Sequence, residues 1–167
     1  MTLRSSAGNG GIISVSGGSM SDVKVVGLRI FSLLEELGAS GLPEGEPERT
    51  ESCATGCLKK AADGALVLSY IEADGENSQV HTSIRIKPDK ISVQRRGGID
   101  SIMVFEEGVI HRSVYSLPPY QMDMEILTRR IRQNMSLTGG ELQLVYEMKV
   151  GGARRSAIFR IEVKAEK

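Results

Sequence analysis

Arg95 is the residue best placed to do chemistry. In "ISVQRRGGIDSIMVF", residues 91–105, Ile91 and Val93 share its two-residue parity, while Ser92, Gln94 and Arg96 take the other. Three settings are open to a guanidinium third in an apolar row. It can close the end of a small barrel, bonded to carbonyls and a carboxylate. It can anchor an anionic or carboxylate-bearing ligand in an otherwise apolar pocket, through paired hydrogen bonds. It can simply lie in solvent. Tyr70 and Glu72 share parity with Leu66 and Leu68, although Ala65, Val67, Ser69 and Ile71 form a competing row. Tyr146 and Thr128 lie in clear apolar rows, and Phe105 follows Met103. If the Leu66–Leu68 face is inner, one arginine, one carboxylate and one phenol enter the interior. An unpaired charge there costs on the order of several kcal/mol, so Arg95 and Glu72 are expected to be paired or to reach water. The candidate ligand-binding residues are Tyr70, Glu72, Arg95, Phe105, Tyr115 and Tyr146.

Catalytic groupings are poorer. His81 alternates onto a polar face and reads as a solvated strand residue. His111 shares parity with Ser113, but two residues along a strand separate them by about 6–7 Å, too far for a nucleophile–base hydrogen bond. Glu106 and Glu107 read as solvated turn acids. No Gly-x-Ser-x-Gly stretch occurs, and "GNGG" and "SGGS" are linker-like rather than phosphate-cradling. Cys53 and Cys57 would sit about 13 Å apart on a strand, beyond disulfide reach, and with two scattered histidines they match no zinc pattern. They read as ordinary thiols. The expectation is a non-enzyme without cofactor or metal.

Composition narrows the partners. Lys plus Arg is 21 and Asp plus Glu is 21, so formal net charge is zero and nothing draws the whole chain to nucleic acid or an anionic membrane. Tryptophan is absent and aromatics are 4%, too few for a base-stacking platform. No apolar run reaches the 18 or more residues of a spanning helix. The beginning of the chain lacks a continuous apolar signal region. With reduced thiols, these features imply a cytoplasmic protein.

The elements that must position these side chains are strands. Val80, Thr82, Ile84 and Ile86 alternate with His81, Ser83, Arg85 and Lys87, and Met122, Met124, Ile126 and Thr128 with Gln121, Asp123, Glu125 and Leu127. Leu142, Leu144, Tyr146 and Met148 alternate with Glu141, Gln143, Val145 and Glu147, and Ala157, Phe159, Ile161 and Val163 with Ile158, Arg160, Glu162 and Lys164. This is half-buried antiparallel sheet. Turns fall at "DG" 63–64 and 74–75, "PD" 88–89, "GG" 97–98, "EEG" 106–108, "TGG" 138–140 and "GG" 151–152. Short strands at such even spacing suggest a meander in a sandwich or closed barrel. Residues 1–21, rich in Gly and Ser, read as a flexible leader, with Met20 a plausible alternative start; 22–167 then form a single β-barrel domain. "GASGLPEGEPE", 38–48, reads as a loop. Residues 23–34 are assigned to a strand needed to close the barrel, with "SLLEELG" open to a helical turn. Residues 121–130 are assigned to a strand, although Met124, Leu127, Ile131 and Met135 fall at helical spacing; "RIRQNMSL" reads as a helical turn or loop.

An ordered series of residues carries a resemblance. It runs Thr55–Gly56, "LSYIE" with Tyr70 and Glu72, "VHTSIRI" with Thr82, "RRG" with Arg95 and Gly97, then Phe105. Tyr115, Pro118, Thr128 and "GELQLVYEM" with Gly140 and Tyr146 complete it. In order and spacing, from about residue 23 to 165, the chain resembles the YwiB-like family of uncharacterised bacterial proteins, small calycin-type (lipocalin-like) β-barrels. It departs where Leu117-Pro118-Pro119-Tyr120 stands for the family's Thr-Pro-aromatic-Gly, and residues 35–48 look longer than the usual first hairpin. The resemblance implies an all-β fold, an antiparallel calycin/lipocalin-like barrel of eight to ten strands. It implies no activity. Calycin relatives often carry small apolar ligands in the lumen, which is an analogy of fold.

Two functions follow as expectations. One is a non-catalytic small-ligand binding module with a mainly apolar lumen, taking a small apolar or carboxylate-bearing ligand. The other is a protein-interaction or structural domain with a solidly packed barrel. The lumen discriminates: a cavity of about 300 Å³ or more favours the first, and a filled interior with an exposed apolar patch favours the second. Met103, Met122, Met124 and Met148 share inward rows, where thioethers fill an irregular core or line a pocket for varied apolar ligands.

Overall fold

A computed structural model of the chain describes residues 23–73 and 79–166. The leader and the "DG" at 74–75 lie outside the described residues. Ten antiparallel strands make up one sheet: β1 (Lys24–Leu37), β2 (Pro43–Lys60), β3 (Leu66–Ala73), β4 (Gln79–Ile86), β5 (Ile91–Gly97), β6 (Ser101–Phe105), β7 (Ile110–Leu117), β8 (Tyr120–Gln133), β9 (Gly139–Val150) and β10 (Ala153–Ala165). No helix occurs among the described residues, and "SLLEEL", 32–37, is strand, ending before Gly38.

The neighbour order is β6-β5-β4-β3-β2-β1-β10-β9-β8-β7, a meander rolled into a nearly closed barrel. β1 does not close it. That strand lies mid-sheet, with ladders to both β2 and β10. The joint lies between β6 and β7, where one bridge, Asp100 with Ser116, replaces a ladder. Its two backbone hydrogen bonds measure 2.9 and 2.8 Å. The opposite end of this seam is held by a turn, Val109 N–H to Glu106 C=O at 3.0 Å, and by Gly108 N–H to Thr128 C=O at 2.9 Å.

Period-two patterning places the core. Val26, Leu28, Ile30, Leu58, Leu68, Ile84, Ile91, Ile126, Leu142 and Ile161 are buried in one cluster. Burying each such side chain contributes roughly 1.5–3 kcal/mol. The Leu66–Leu68 parity of β3 faces inward, while Ile71 on the other parity is exposed. Outward residues pair as ions, among them Arg29 with Glu51 at 3.0 Å and Arg112 with Glu125 at 3.2 Å.

Three local expectations are corrected. The loop expected at 38–48 is a tight turn, and strand resumes at Pro43 because Leu37 and Glu36 continue to pair with Pro43 and Glu44. β8 runs on to Gln133, so "RIRQNMSL" begins as strand. A bulge between Thr128 and Arg130 inserts one extra residue and resets parity, so Ile131 packs on the core. The bulge thus returns Ile131 to the core face, while Leu127 of the apparent helical stripe lies on the other parity. Glu106 and Glu107 are not merely solvated: Glu106 bonds His111 Nε2 at 3.1 Å, and Glu107 accepts the Ile131 N–H at 2.7 Å. The Pro118–Pro119 peptide, in the β7–β8 turn, is cis.

Candidate functional site

The barrel is packed at one end and hollow at the other. Toward the turns at 118–119 and 151–152 lies a cavity of about 580 Å³. The residues facing it explain the space. Ser32, Ala153 and Ala157 are small, and Met103, Met122 and Met148 are flexible, where the packed end carries Leu and Ile. Most of the wall is apolar.

Four of the six residues singled out from the sequence line this cavity: Arg95, Phe105, Tyr115 and Tyr146. Phe105 is buried and meets the Tyr146 ring edge-on, centroids 4.8 Å apart at 67°. Such a pair adds about 0.5–1.5 kcal/mol beyond its buried area and fixes both rings against the wall. Tyr115 is half-buried against the core from β7. Tyr70 and Glu72 do not line the cavity. Tyr70 is buried one step away, and Glu72 is half-buried beyond the last β2–β3 pair, Gly56 with Tyr70.

Register links the polar members. Tyr70 stands opposite Thr82, Thr82 opposite Arg95, and Arg95 opposite Ser101, so one row crosses β3, β4, β5 and β6. Gly56 begins it; a Cβ there would meet the Ser69 carbonyl oxygen at 2.6 Å and crowd Tyr70, so the row needs glycine at its head. Tyr70 Oη, Thr82 Oγ1, Arg95 Nε and Ser101 Oγ are all buried, and none has a hydrogen-bond partner. Each such group costs about 1–3 kcal/mol. Arg95 and Ser101 face the cavity, and Thr82 and Tyr70 continue the row behind them.

The electrostatics follow the same row. Burial pushes the Tyr70 phenol well above its usual range, the negative Glu72 adds to this, and Arg95 opposes it. Glu72 and Thr82 lie close enough to act on Tyr70, yet neither makes a hydrogen bond of normal geometry with its hydroxyl. Burial likewise raises Tyr146, again against the pull of Arg95. Both phenols therefore stay protonated at neutral pH. Among the described residues no carboxylate lies within ion-pair distance of Arg95, whereas Arg155, the other cation on the cavity wall, is held by Glu36.

Sequence reasoning missed Thr82 and Ser101 as site residues. Thr82 interrupts the row of Val80, Ile84 and Ile86, and Ser101 shares parity with Met103 and Phe105. A hydroxyl within an apolar row was the available signal. His111 and Ser113 make no hydrogen bond to each other; the His111 ring bonds Glu106 instead. Cys53 and Cys57 are free and exposed. Among the described residues no group of three His, Cys, Asp or Glu side chains is gathered in metal-ligating range, and no helix is long and apolar enough to cross a membrane. A second concavity of about 740 Å³ lies on the outer face of β2–β5, over Ile71, His81 and Arg96, but it is more open to solvent.

The chain is similar in fold to the crystal structure of the ywiB protein from Bacillus subtilis, with a TM-score of 0.76 and 19% identity over 87% of this chain and 94% of that one. No curated protein matches the sequence. Residues 41–161, from the β1–β2 turn to the core of β10, match the family described as a domain of unknown function, DUF1934. That span holds all six candidate residues and the whole polar row, and the chain belongs to the DUF1934 family.

Proposed function

We propose that this protein is a non-catalytic binding module that holds one small apolar or carboxylate-bearing molecule in its lumen, as calycin-type barrels do. The observation that carries the reading is the cavity of about 580 Å³, largely apolar and polar along one side. Its volume falls within the usual range for small-molecule sites. A few convergent polar groups in an apolar cleft are what such sites use for orientation. Arg95 and Tyr146 orient the ligand, and Phe105 and Tyr115 shape its walls. The absence of chemistry in this reading is supported by His111, which is engaged with Glu106 rather than with a nucleophile. A cytoplasmic setting is supported by the two exposed free thiols.

A second reading has its own observation. Ile102, Ile110, Val114, Leu117 and Tyr120 are exposed together around the β6–β7 seam and the start of β8. An exposed apolar patch fits a protein-interaction domain. Native mass spectrometry separates the two. Protein purified from its own host is compared with the same sample after denaturation. A small molecule released in stoichiometric amount is the expected result. A clean apo mass would overturn the lumen reading and leave the interaction domain ahead.

A further inference from the structure

We infer that the ligand is a monocarboxylate whose head group sits on the Arg95–Ser101 end of the polar row. This rests on the lumen reading and names the chemistry of the same site. Buried polar atoms are nearly always hydrogen-bonded, and each exception asks for an explanation. Here four exceptions stand side by side on successive strands, opposite one another in register. Thr82 is 2% exposed, Tyr70 4% and Ser101 5%, so bulk solvent does not serve them. A ligand acceptor placed at the cavity face of this row lies against both Arg95 and Ser101, the two members that line the cavity.

Charge selects among the head groups. Arg95 carries a positive charge without a carboxylate partner among the described residues, and the other arginine on the wall, Arg155, is already paired. Ser101 and the two raised phenols are neutral, so the wall holds one uncompensated charge. An ammonium head would face that cation. A neutral hydroxyl would leave it unmatched. A phosphate would bring up to two negative charges to a single arginine. A carboxylate brings one charge and only acceptor atoms, and its plane matches the guanidinium fork. The body of the molecule lies beside Met103 and reaches across the seam to Met122, Met124 and Met148. Unbranched thioether side chains accommodate hydrocarbon of varied shape, so the head is read more strictly than the tail.

The experiment is isothermal titration of the full chain with decanoate, 1-decanol and decyl phosphate. Decanoate is expected to bind one to one and about tenfold tighter than either of the others, the scale of a charge-assisted hydrogen bond. In Arg95→Met the preference for the acid over the alcohol should vanish. Arg95→Gln, which keeps the side chain's length and polarity, serves if the Met variant does not fold. Ser101→Ala should weaken decanoate several-fold and narrow its advantage over decanol. Equal affinity of acid and alcohol in the wild-type protein, tighter binding of the phosphate, or a preference that survives loss of Arg95 would each overturn the inference and leave the lumen reading standing. Failure of all three probes to bind a folded protein would overturn both.

Discussion

Thr82 shows how much a single hydroxyl can reveal. It lies in an apolar row, is 2% exposed, and its oxygen has no partner. Replacing it by valine removes an unsatisfied group and keeps the shape. Thr82→Val is therefore expected to raise the stability of ligand-free protein by about 1 kcal/mol. Urea denaturation checks this: the midpoint should rise with an unchanged slope. A loss of stability would mean that the hydroxyl is satisfied in solution. Asp63 makes the opposite kind of contribution. From the β2–β3 turn, its carboxylate accepts the Ala65 N–H at 3.1 Å and pairs with Arg85 of β4. These contacts, the backbone bond first, lower its pKa from 3.8 to about 2. The folded state thus favours the ionised form, so the contribution is complete above the unfolded value and is lost as pH falls through the folded one. Asp63→Ala should melt earlier than wild type at pH 7, and thermal melts of the two should converge between about pH 4 and pH 2. A gap that persists in acid would assign the effect to turn geometry instead of charge.

Elements were legible where alternation was uninterrupted. The inward rows of β4, β9 and β10 were readable because each holds one parity from end to end, and the same parity put Arg95 on the lumen side. The reading failed where one residue breaks the period or where pairing alone decides. The bulge after Thr128 returns Ile131 to the core face out of alternation, and the Gly- and Pro-rich start of β2 imitates a loop although β1 pairs with it. Among the described residues that part of β2 has no partner on its other side, since β3 pairs only with Gly56–Lys60. Pro43, Pro47 and the acids Glu44, Glu46, Glu48 and Glu51 are what an open edge needs to discourage strand addition by another chain. Glycine has its strictest role at the end of β5. Gly97 has φ of 125°, and a Cβ there would overlap the Gln79 carbonyl oxygen of β4. Gly97→Ala should cost about 2 kcal/mol or more, because backbone rather than a side-chain tip must give way. A chemical-denaturation midpoint within error of wild type would show that the β4–β5 hairpin can relax.

For the molecule as a whole, the hollow end could not be read from any one strand. It depends on small and flexible residues of β1, β6, β8, β9 and β10 meeting at one level, which only the rolled sheet decides. The seam is equally non-local, since β6 and β7 are consecutive, alternate acceptably, and still fail to form a ladder. Stability should be distributed accordingly. β1 is laddered on both sides, its pairing with β10 running from Val26–Ala165 to Leu37–Arg154. Hydrogen exchange is expected to be slowest in β1, β9 and β10 and fastest at Ile102–Val104 and Ser113–Tyr115, where few backbone bonds oppose local opening. Uniform protection around the barrel would mean that the seam is laddered in solution.

The seam also makes the barrel mechanically uneven. A tension that circles the wall must pass through every strand junction in turn, and it is limited by the weakest. Here that junction is one pair, Asp100 with Ser116, whose two hydrogen bonds stand in series with ladders many residues long. Pulled apart between Asp100 and Ser116, the seam should part at low force and splay from that end, while the turn joining Phe105 to Ile110 keeps β6 and β7 tethered at the other. Pulled between β1 and β10, the same wall has to shear a whole ladder at once. The molecule is less a ring than a cuff with a clasp, strong around most of its circumference and easily undone at one line.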